Sequence, residues 1–226
     1  MQITTSDPRS AVYPAGSDTG APLTVRKRLE LMLRYVNLEG MTILDAGCGA
    51  GTYVESFSLH SPNVFGIEYQ ADKVRDYHAR TGRSNVTVGS VEQTGFPDKT
   101  FDIILSNEVL EHVTDDRQAL SEMHRILKPG GHLFLFTPNR LYPLETHGCY
   151  THSGKRIPSR IPFIPWLPLP LARRFLVFWC RNYWRGELRR MVEETGFRVV
   201  AYRTIWQTLS NTTGKQSWLR AEVTRG

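Results

Sequence analysis

Short apolar runs alternate with segments of helical periodicity between residues 41 and 137. The apolar runs predict five strands, at 41–46, 63–68, 85–89, 101–107 and 132–137. Apolar residues three or four positions apart predict the helices between them, at 52–59, at 71–80 and from 107 to about 127. Strands that alternate with helices at this spacing indicate an α/β fold with a parallel, doubly wound sheet.

The flanking segments extend the pattern. Residues 23–38 predict an amphipathic packing helix, with Arg26, Lys27, Arg28 and Arg34 between its apolar positions. Residues 128–131, Lys-Pro-Gly-Gly, predict a turn that stops the preceding helix. The C-terminal segment predicts a helix at 187–195 that stops at Gly196, strands at 197–206 and 216–224, and a polar turn at 208–215.

Composition narrows the class of protein. With 226 residues, 40% of them hydrophobic, the chain suits one domain, at 23–226, behind a polar N-terminal arm at 1–22 that we expect to be mobile. Three scattered cysteines are too few for a disulfide framework or a metal site, so no metal is expected. Neither a signal-peptide pattern nor a membrane-spanning run is present, which predicts a cytoplasmic protein.

The most informative stretch is 44–53, Leu-Asp-Ala-Gly-Cys-Gly-Ala-Gly-Thr-Tyr. It predicts a buried strand, a tight glycine turn and a helix N-terminus, which can accept a ligand close to the backbone. The third glycine, Gly51, comes one residue too early for a dinucleotide fingerprint. Asp45 would repel a phosphate and suits a cationic group instead. By itself the stretch allows either a ligand site or a plain strand-to-helix connection.

Other polar residues stand where neighbouring strands end. Glu68, 23 residues after Asp45, ends the second predicted strand, and Ser90 and Asn107 follow the third and fourth. The carboxyl ends of parallel strands meet at one edge of a sheet, where ligands bind. A carboxylate such as Glu68 offers two acceptor oxygens to ribose hydroxyls. We therefore expect these residues to line one crevice.

Five motifs occur in order. They are the glycine turn, Gly66-Ile-Glu68, Phe96-Pro-Asp-Lys-Thr-Phe-Asp102, Asn107-Glu-Val-Leu-Glu-His-Val113 and Leu127-Lys-Pro-Gly-Gly131. This series resembles the class I S-adenosylmethionine-dependent methyltransferases, in particular the small-molecule branch of the ubiquinone and menaquinone pathways. The resemblance covers about residues 23–139. It implies a Rossmann-like, seven-stranded, mostly parallel sheet closed by a C-terminal antiparallel hairpin.

The resemblance also implies S-adenosylmethionine as cofactor. Asp45 and the turn would hold its amino-acid end, Glu68 its ribose, and Asn107 would approach the methionine portion. The implied cofactor residues are Asp45, Gly47, Cys48, Gly49, Gly51, Glu68, Tyr69, Ser90, Val91, Glu92 and Asn107. Many relatives carry an acid at the position of Ser90, which accepts a hydrogen bond from the adenine amino group. In this chain Ser90, Glu92 or backbone carbonyl oxygens would accept that bond.

Residues 140–184 form an insertion after the fifth predicted strand, which we call the lid. Prolines 162, 165, 168 and 170 exclude a continuous helix and central strands there. Residues 140–190 contain ten Lys or Arg residues and only two acidic residues, Glu145 and Glu187. An apolar lid with a basic rim suits an amphipathic acceptor, including one presented at a membrane surface. The alternative is a satellite hydrophobic cluster with a solvated basic face.

An O- or C-methylation requires a base, and the sequence offers several. The catalytic candidates are His112, His147 and Glu111, with His152 as a further imidazole. The expected substrate contacts are Asn139, Arg140, Glu145, Tyr150 and Trp166. Each of these residues could instead have a packing, capping or loop role.

Taken together, the sequence predicts a methyltransferase for a small apolar or amphipathic molecule, with O-methylation slightly favoured over C-methylation. An RNA methyltransferase is one alternative, since basic and aromatic residues occur together, although no appended RNA-binding motif is present. A cofactor-binding scaffold without turnover is the other.

Overall fold

The computed structural model describes residues 21–145, 148–158, 161–178, 181–205 and 216–223. Most of the predicted N-terminal arm, His147, Cys180 and the turn at 208–215 lie outside the described residues. Within those residues, every helix is too short or too polar to cross a membrane.

The described helices and strands follow the predicted α/β alternation. The helices are α1 (Ala21–Leu33), α2 (Thr52–Phe57), α3 (Ala71–Thr81), α4 (Asp116–Ile126), α5 (Leu169–Phe175) and α6 (Arg185–Glu194). The strands are β1 (Ile43–Ala46), β2 (Val64–Glu68), β3 (Val86–Val88), β4 (Phe101–Asn107), β5 (Leu127–Pro138), β6 (Cys149–Thr151), β7 (Arg156–Ile157), β8 (Leu176–Phe178), β9 (Phe197–Ile205) and β10 (Gln216–Val223). Short 3₁₀ helices occupy Leu110–His112 and Ile164–Trp166.

Among the described residues, seven strands form one sheet in the order β3-β2-β1-β4-β5-β10-β9. The first five of these pair in parallel, and β10 pairs antiparallel with both β5 and β9. This arrangement confirms the predicted mostly parallel sheet and its closing hairpin. The strand order reverses between β1 and β4, so their carboxyl ends flank the crevice where ligands of such sheets bind.

Two apolar layers cover the faces of the sheet. All four residues of β1 are buried, as expected of a central parallel strand that is covered on both faces. One cluster packs α4 and α6 against β4 and β5, through residues such as Leu120, Met123 and Leu188. The other packs α1, α2 and α3 against the opposite face, through residues such as Met32 and Phe57.

The predicted continuous helix from 107 to 127 is wrong. A 3₁₀ helix, Leu110–His112, comes first, and Val113 is extended with ψ of 160°. The Asp115 side chain then accepts hydrogen bonds from the Arg117 and Gln118 amides and begins α4. The sequence between β4 and α4 is therefore a separate loop at the edge of the crevice.

The predicted turn at 128–131 is also wrong, because these residues belong to β5. Leu127 pairs with Phe101 of β4, and the register then shifts between Phe101 and Ile103. Gly130 has a φ of 78°, and a side chain on Gly131 would press on the Asp102 carbonyl oxygen. The two glycines let the chain bulge and remain beside β4.

The lid contains more regular structure than its prolines suggest. Strands β7, β6 and β8 form a small antiparallel sheet separate from the main one. Its other elements are the second 3₁₀ helix and α5, a helix of seven residues with a proline in its first turn. The prediction that the prolines exclude a long helix in the lid is confirmed for its described part.

Candidate active site

The glycine turn between β1 and α2 is packed from two sides and open at its centre. Gly47, Gly49 and Gly51 have φ angles of 82°, 56° and 82°, in the region that favours glycine. A methyl group on Gly47 would come within 2.3 Å of Val109, and one on Gly51 within 2.3 Å of Tyr77. A methyl group on Gly49 would meet nothing within 4 Å. A ligand can therefore approach the backbone at Gly49.

Asp45, the predicted acid at the end of β1, is 1% exposed. In the described part of the chain, its Oδ2 atom has no hydrogen-bond partner. Burial, and secondly the nearby Glu68 carboxylate, raise the pKa of Asp45 to about 8. A buried carboxylate without a partner is costly, so this position favours a ligand that brings a cationic group.

Glu68 ends β2, is almost completely buried, and connects the turn with the start of α3. Its Oε2 atom accepts a hydrogen bond from the Gly49 amide at 2.8 Å. Its Oε1 atom accepts one from the Gln70 amide at 3.0 Å. Each carboxylate oxygen keeps a further lone pair. Glu68 can therefore fix the shape of the turn and still accept hydrogen bonds from two adjacent hydroxyl groups.

The residues predicted to flank the adenine have different surroundings. Tyr69 is 67% exposed beside the crevice, whereas Val91 is buried in the core between the sheet and α4. The Glu92 carboxylate accepts a hydrogen bond from the Asp115 amide at 2.7 Å and so helps to hold the start of α4. The Ser90 hydroxyl accepts one from the Glu92 amide at 3.1 Å. Of these four side chains, that of Tyr69 is the exposed one.

Cys48, also predicted at the turn, is a buried packing residue. Its amide and that of Gly47 both donate to the Ile67 carbonyl oxygen, at 3.0 and 2.8 Å. These two bonds pin the turn to the end of β2. Only the backbone of Cys48 therefore contributes to the shape of the crevice.

The sequence prediction missed Arg28, which was assigned to the polar face of a packing helix. Arg28 is buried, and its guanidinium lies 5.1 Å from the centre of the Phe136 ring. It donates hydrogen bonds to Asn107 Oδ1 at 2.6 Å and to Glu108 Oε1 at 2.9 Å, and it lies 3.3 Å from the Tyr53 hydroxyl. Helix α1 thus places a cation at the end of β4, next to the predicted methionine subsite.

Glu108 is held in an uncommon backbone conformation at the same place. Its φ is 57°, in the left-handed region that non-glycine residues rarely adopt. Its amide donates to the Phe136 carbonyl oxygen at 2.9 Å, and its side chain pairs with Arg28. Strained residues of this kind are concentrated at binding sites, where surrounding contacts hold them in place.

These residues fit S-adenosylmethionine, the cofactor that the resemblance implies. The unpartnered oxygen of Asp45 suits an ammonium group, and the Arg28 guanidinium suits a carboxylate. Glu68 suits the ribose hydroxyls, and the open backbone at Gly49 leaves room for the ligand beside them. The charges of the crevice therefore match an amino-acid end and a ribose, and they do not match a pyrophosphate.

A cavity of about 430 Å³ lies between the lid and the 3₁₀ helix Leu110–His112. Its apolar wall consists of Val113, Pro165, Leu176, Val177 and Phe178. Its polar and charged wall includes Glu111, His112, Arg140, His152, Arg173 and Arg181. Two catalytic candidates, Glu111 and His112, thus line the same cavity, and His147 lies outside the described residues.

Glu111 is buried, and both of its carboxylate oxygens lack hydrogen-bond partners among the described residues. Burial first, and repulsion from Glu108 second, raise the pKa of Glu111 well above its ordinary value. Since protein atoms cover these oxygens, His112 is the more accessible of the two candidate bases.

The predicted substrate residues are spread over the lid. Arg140 lines the cavity and donates to the carbonyl oxygens of Pro165 and Leu167, at 2.5 and 2.6 Å. Asn139 accepts a hydrogen bond from the Leu141 amide, and Glu145 accepts one from Asn182. Tyr150 lies in β6, and Trp166 is 44% exposed beside Phe163. Of the five, Arg140 alone is among the residues that line the described cavity.

Comparison with known proteins gives a consistent result. Residues 44–135 match a family model described as a methyltransferase domain. A probable S-adenosylmethionine-dependent methyltransferase from Mycolicibacterium smegmatis is 33% identical over 102 residues, which are 45% of this chain and 40% of that protein. A ubiquinone biosynthesis O-methyltransferase from Coxiella burnetii is 32% identical over 131 residues, which are 56% of each chain.

The fold has close counterparts among solved structures. The PH0226 protein from Pyrococcus horikoshii superposes with a TM-score of 0.71 at 16% identity, over 96% of this chain and 99% of that one. An S-adenosylmethionine-dependent methyltransferase from Mesorhizobium loti gives 0.63 at 18% identity, over 86% and 96%. At such identities the likeness shows the fold alone.

The matched part of the chain spans about half the length of these curated relatives or less. The part matched by the family model, residues 44–135, contains the glycine turn, Glu68, Asn107 and the Glu111-His112 pair, and it precedes the lid. The family model, the curated relatives and the sheet order agree with one another. Residues 44–135 of this chain are therefore similar to the methyltransferase domain of S-adenosylmethionine-dependent methyltransferases.

Proposed function

We propose that this protein transfers a methyl group from S-adenosylmethionine to an oxygen atom of a small amphipathic molecule. The observation that carries the proposal is the cavity under the lid, which begins four residues after Asn107, at Glu111. It combines an apolar wall with a few charged groups, as small-molecule sites usually do. The similarity to ubiquinone biosynthesis O-methyltransferases supports an oxygen acceptor.

The work of the protein in this reaction is chiefly binding and orientation. When bound, S-adenosylmethionine supplies an electrophilic methyl group on a sulfonium centre. Asp45, Glu68 and Arg28 would fix the two polar ends of the cofactor, and the lid would exclude water from the acceptor. Holding two reactants in line can supply a large part of the rate acceleration.

A hydroxyl acceptor must lose a proton, and His112 is our first candidate for the base. It lines the cavity at the end of the 3₁₀ helix Leu110–His112. An imidazole has an unperturbed pKa of about 6.5 and is suited to proton transfer near neutral pH. His147, outside the described residues, is the second candidate.

The test has two stages. Calorimetry first measures binding of S-adenosylmethionine and S-adenosylhomocysteine to the wild type, to Asp45→Ala and to Glu68→Ala. We expect each variant to bind at least about tenfold more weakly, since each loses an ionised or charge-assisted contact. Asp72→Ala, which removes an exposed acid from α3, is the matched control and should bind as the wild type does.

The second stage measures labelled methyl transfer from the cofactor into fractionated cell extract, with mass spectrometry of the product. A labelled small molecule with a new O-methyl group would support the proposal. Label in RNA with none in small-molecule or lipid fractions would favour an RNA methyltransferase. Cofactor binding without any labelled product would favour a scaffold, and no cofactor binding at all would refute the proposal.

We further propose that the outer face of the lid contacts an anionic membrane surface. Phe163, Leu171 and Phe175 are 54%, 53% and 60% exposed, and Arg174 is an exposed residue of α5, as Leu171 and Phe175 are. Exposed apolar side chains next to basic ones match the interface of an anionic bilayer, where both kinds of group find favourable contacts. Such a surface would bring the cavity close to an amphipathic acceptor.

Sedimentation with phosphatidylglycerol-containing liposomes tests the membrane contact. We expect binding that weakens with added salt and with Arg174→Glu, because the electrostatic part is screened or reversed. Arg190→Glu, an exposed position on α6, is the control of equal charge change. A protein that fails to sediment at low salt, or that sediments equally after Arg174→Glu, would contradict the contact.

A further inference from the structure

The cavity under the lid has an unbalanced charge. Three arginines, Arg140, Arg173 and Arg181, belong to its wall, and Glu111 is the acid that the structure places there among the described residues. Burial raises the pKa of Glu111 well above its ordinary value, so this carboxyl is a weaker source of negative charge than an ordinary glutamate. The net charge of the cavity wall therefore depends on which of the three arginines have acidic partners.

Arg181 is compensated by protein carboxylates. It donates to Asp116 Oδ2 at 2.5 Å and to Glu187 Oε1 at 2.7 Å. Its own backbone amide donates to the Glu111 carbonyl oxygen at 3.0 Å, which ties this part of the lid to the 3₁₀ helix. Arg181 therefore builds the wall and adds little net charge to it.

Arg140 is compensated differently. Its guanidinium donates to two backbone carbonyl oxygens, those of Pro165 and Leu167, and lies 5.4 Å from the centre of the Trp184 ring. Carbonyl oxygens satisfy hydrogen bonds without cancelling a full charge. No carboxylate accepts a hydrogen bond from Arg140 within the described residues, and Glu187 acts on it only through its nearby charge. Arg140 therefore leaves more positive charge at the cavity wall than Arg181 does.

Arg173 has neither an ion pair nor a side-chain hydrogen bond in the described part of the chain. It lies on α5, is exposed, and reaches the wall of the cavity. Its backbone is held in place, because His152 Nε2 donates to the Arg173 carbonyl oxygen at 3.0 Å. A fixed backbone with a free guanidinium at the edge of a cavity is suited to binding an oxyanion.

We propose that the methyl acceptor carries a carboxylate or phosphate group, which Arg173 binds at the edge of the cavity in the field of Arg140. The apolar wall formed by Leu176 and Phe178 would hold the rest of the molecule. This inference rests on the proposed function only in that it identifies the ligand of the cavity as the methyl acceptor. The preference of the cavity for an oxyanion is a property that binding alone can test.

The test compares an acid with the amide of the same shape and adds a phosphate ester as a third ligand. Calorimetry measures binding of 3,4-dihydroxybenzoate, 3,4-dihydroxybenzamide and phenyl phosphate to the full chain, with and without S-adenosylhomocysteine. We expect an oxyanion to bind about tenfold more tightly than the amide, which corresponds to one charge-assisted hydrogen bond. Whether the carboxylate or the phosphate binds more tightly tells the two sources of the oxyanion apart.

Arg173→Gln and Arg174→Gln form the matched pair of variants. They are adjacent exposed arginines of α5, and Arg173 belongs to the described cavity wall while Arg174 does not. We expect Arg173→Gln to abolish the preference for the oxyanion and Arg174→Gln to keep it within about twofold, since a distant exposed charge is screened. Binding of S-adenosylhomocysteine should be unchanged in both variants.

The outcomes separate this inference from the proposed function. Equal binding of the acid and the amide, absence of binding by both oxyanions at millimolar concentration, or a preference that survives Arg173→Gln would overturn the inference. These results would leave cofactor binding intact. Failure of S-adenosylhomocysteine to bind the wild type would refute the proposed function instead, and the titrations of the cofactor-free protein would still decide the charge preference.

Discussion

At the residue scale, Asp45 has a cost in the free protein that a ligand can remove. It is buried at the end of β1, one carboxylate oxygen lacks a partner, and Glu68 lies near it. In the folded protein its pKa is about 8, compared with about 3.8 for an ordinary aspartate. Between those values the unfolded chain releases a proton that the folded chain retains. Folding stability therefore falls as pH rises from the lower value to the upper one.

Asp45→Asn removes this penalty and should stabilise the cofactor-free protein increasingly with pH. The gain should be small near pH ~4 and grow towards pH ~8, by at most ~1.4 kcal/mol per pH unit. Urea denaturation across this range measures it. The same variant should bind S-adenosylhomocysteine more weakly, because an amide cannot pair with an ammonium group as a carboxylate does.

The control for this prediction is Asp72→Asn, which changes an exposed acid on α3. It should not reproduce the stability gain of Asp45→Asn that grows with pH. An Asp45→Asn protein that is no more stable at the upper end of the pH range than at the lower end would contradict the assigned pKa shift.

At the element scale, α1 is more than a cover for the core. The Arg28 side chain joins it to the end of β4 through Asn107 and Glu108, residues 79 and 80 positions away. The periodicity of residues 23–38 predicts which face of a helix packs inward. It does not predict what a basic residue on the border of that face will contact, because the partner belongs to a distant element.

The substitution Arg28→Met keeps much of the side-chain volume at this position and removes the positive charge. We expect it to destabilise the protein by about 3 kcal/mol, since Glu108 loses a partly buried ion pair. We also expect weaker binding of S-adenosylhomocysteine. Thermal denaturation and calorimetry measure the two effects, and Arg34→Met, at an exposed position just after α1, is the control.

A second variant distinguishes loss of the pair from general damage to α1. In Arg28→Met/Glu108→Gln the unpaired charge is removed, so part of the lost stability should return. If the double variant is as unstable as the sum of the two single ones, the Arg28–Glu108 pair does not couple α1 to β4.

At the scale of the whole molecule, Tyr183 is one of the residues that join the lid to the main sheet and the loop after β4. This side chain is fully buried, and its hydroxyl lies 2.9 Å from the Leu110 carbonyl oxygen and 3.2 Å from Asp116 Oδ2. Its backbone bonds to Pro138 and Arg140 on either side of the end of β5. The cavity therefore depends on contacts between segments that are far apart in sequence.

Tyr183→Phe tests this junction with the loss of one oxygen atom. We expect a loss of ~1 to 2 kcal/mol in the free energy of unfolding, because the buried Leu110 carbonyl loses its hydroxyl donor. Equilibrium urea unfolding measures it. Tyr142→Phe is the matched control, since no partner of the Tyr142 hydroxyl is present in the described part of the chain. Equal stability of the two variants would show that the hydroxyl does not support the junction.

The sequence alone determined the α/β class, the parallel, doubly wound sheet and the residues that end β1, β2 and β4. These features could be predicted because apolar runs specify buried strands, and because the carboxyl ends of parallel strands must meet at one edge of the sheet. The glycine pattern likewise predicted the turn, because positive φ angles leave few alternatives to glycine.

Only the tertiary structure decided the position of Arg28, the break between β4 and α4, and the walls of the cavity. The small sheet of the lid has strands of two or three residues, too short to produce a periodic signal. Arg140, Arg173 and Arg181 look alike in sequence, as one basic segment. Among the described residues, Arg140 donates to carbonyl oxygens, Arg181 pairs with carboxylates and the Arg173 side chain has no partner. These differences arise from long-range packing, which determines which charge is left for a ligand.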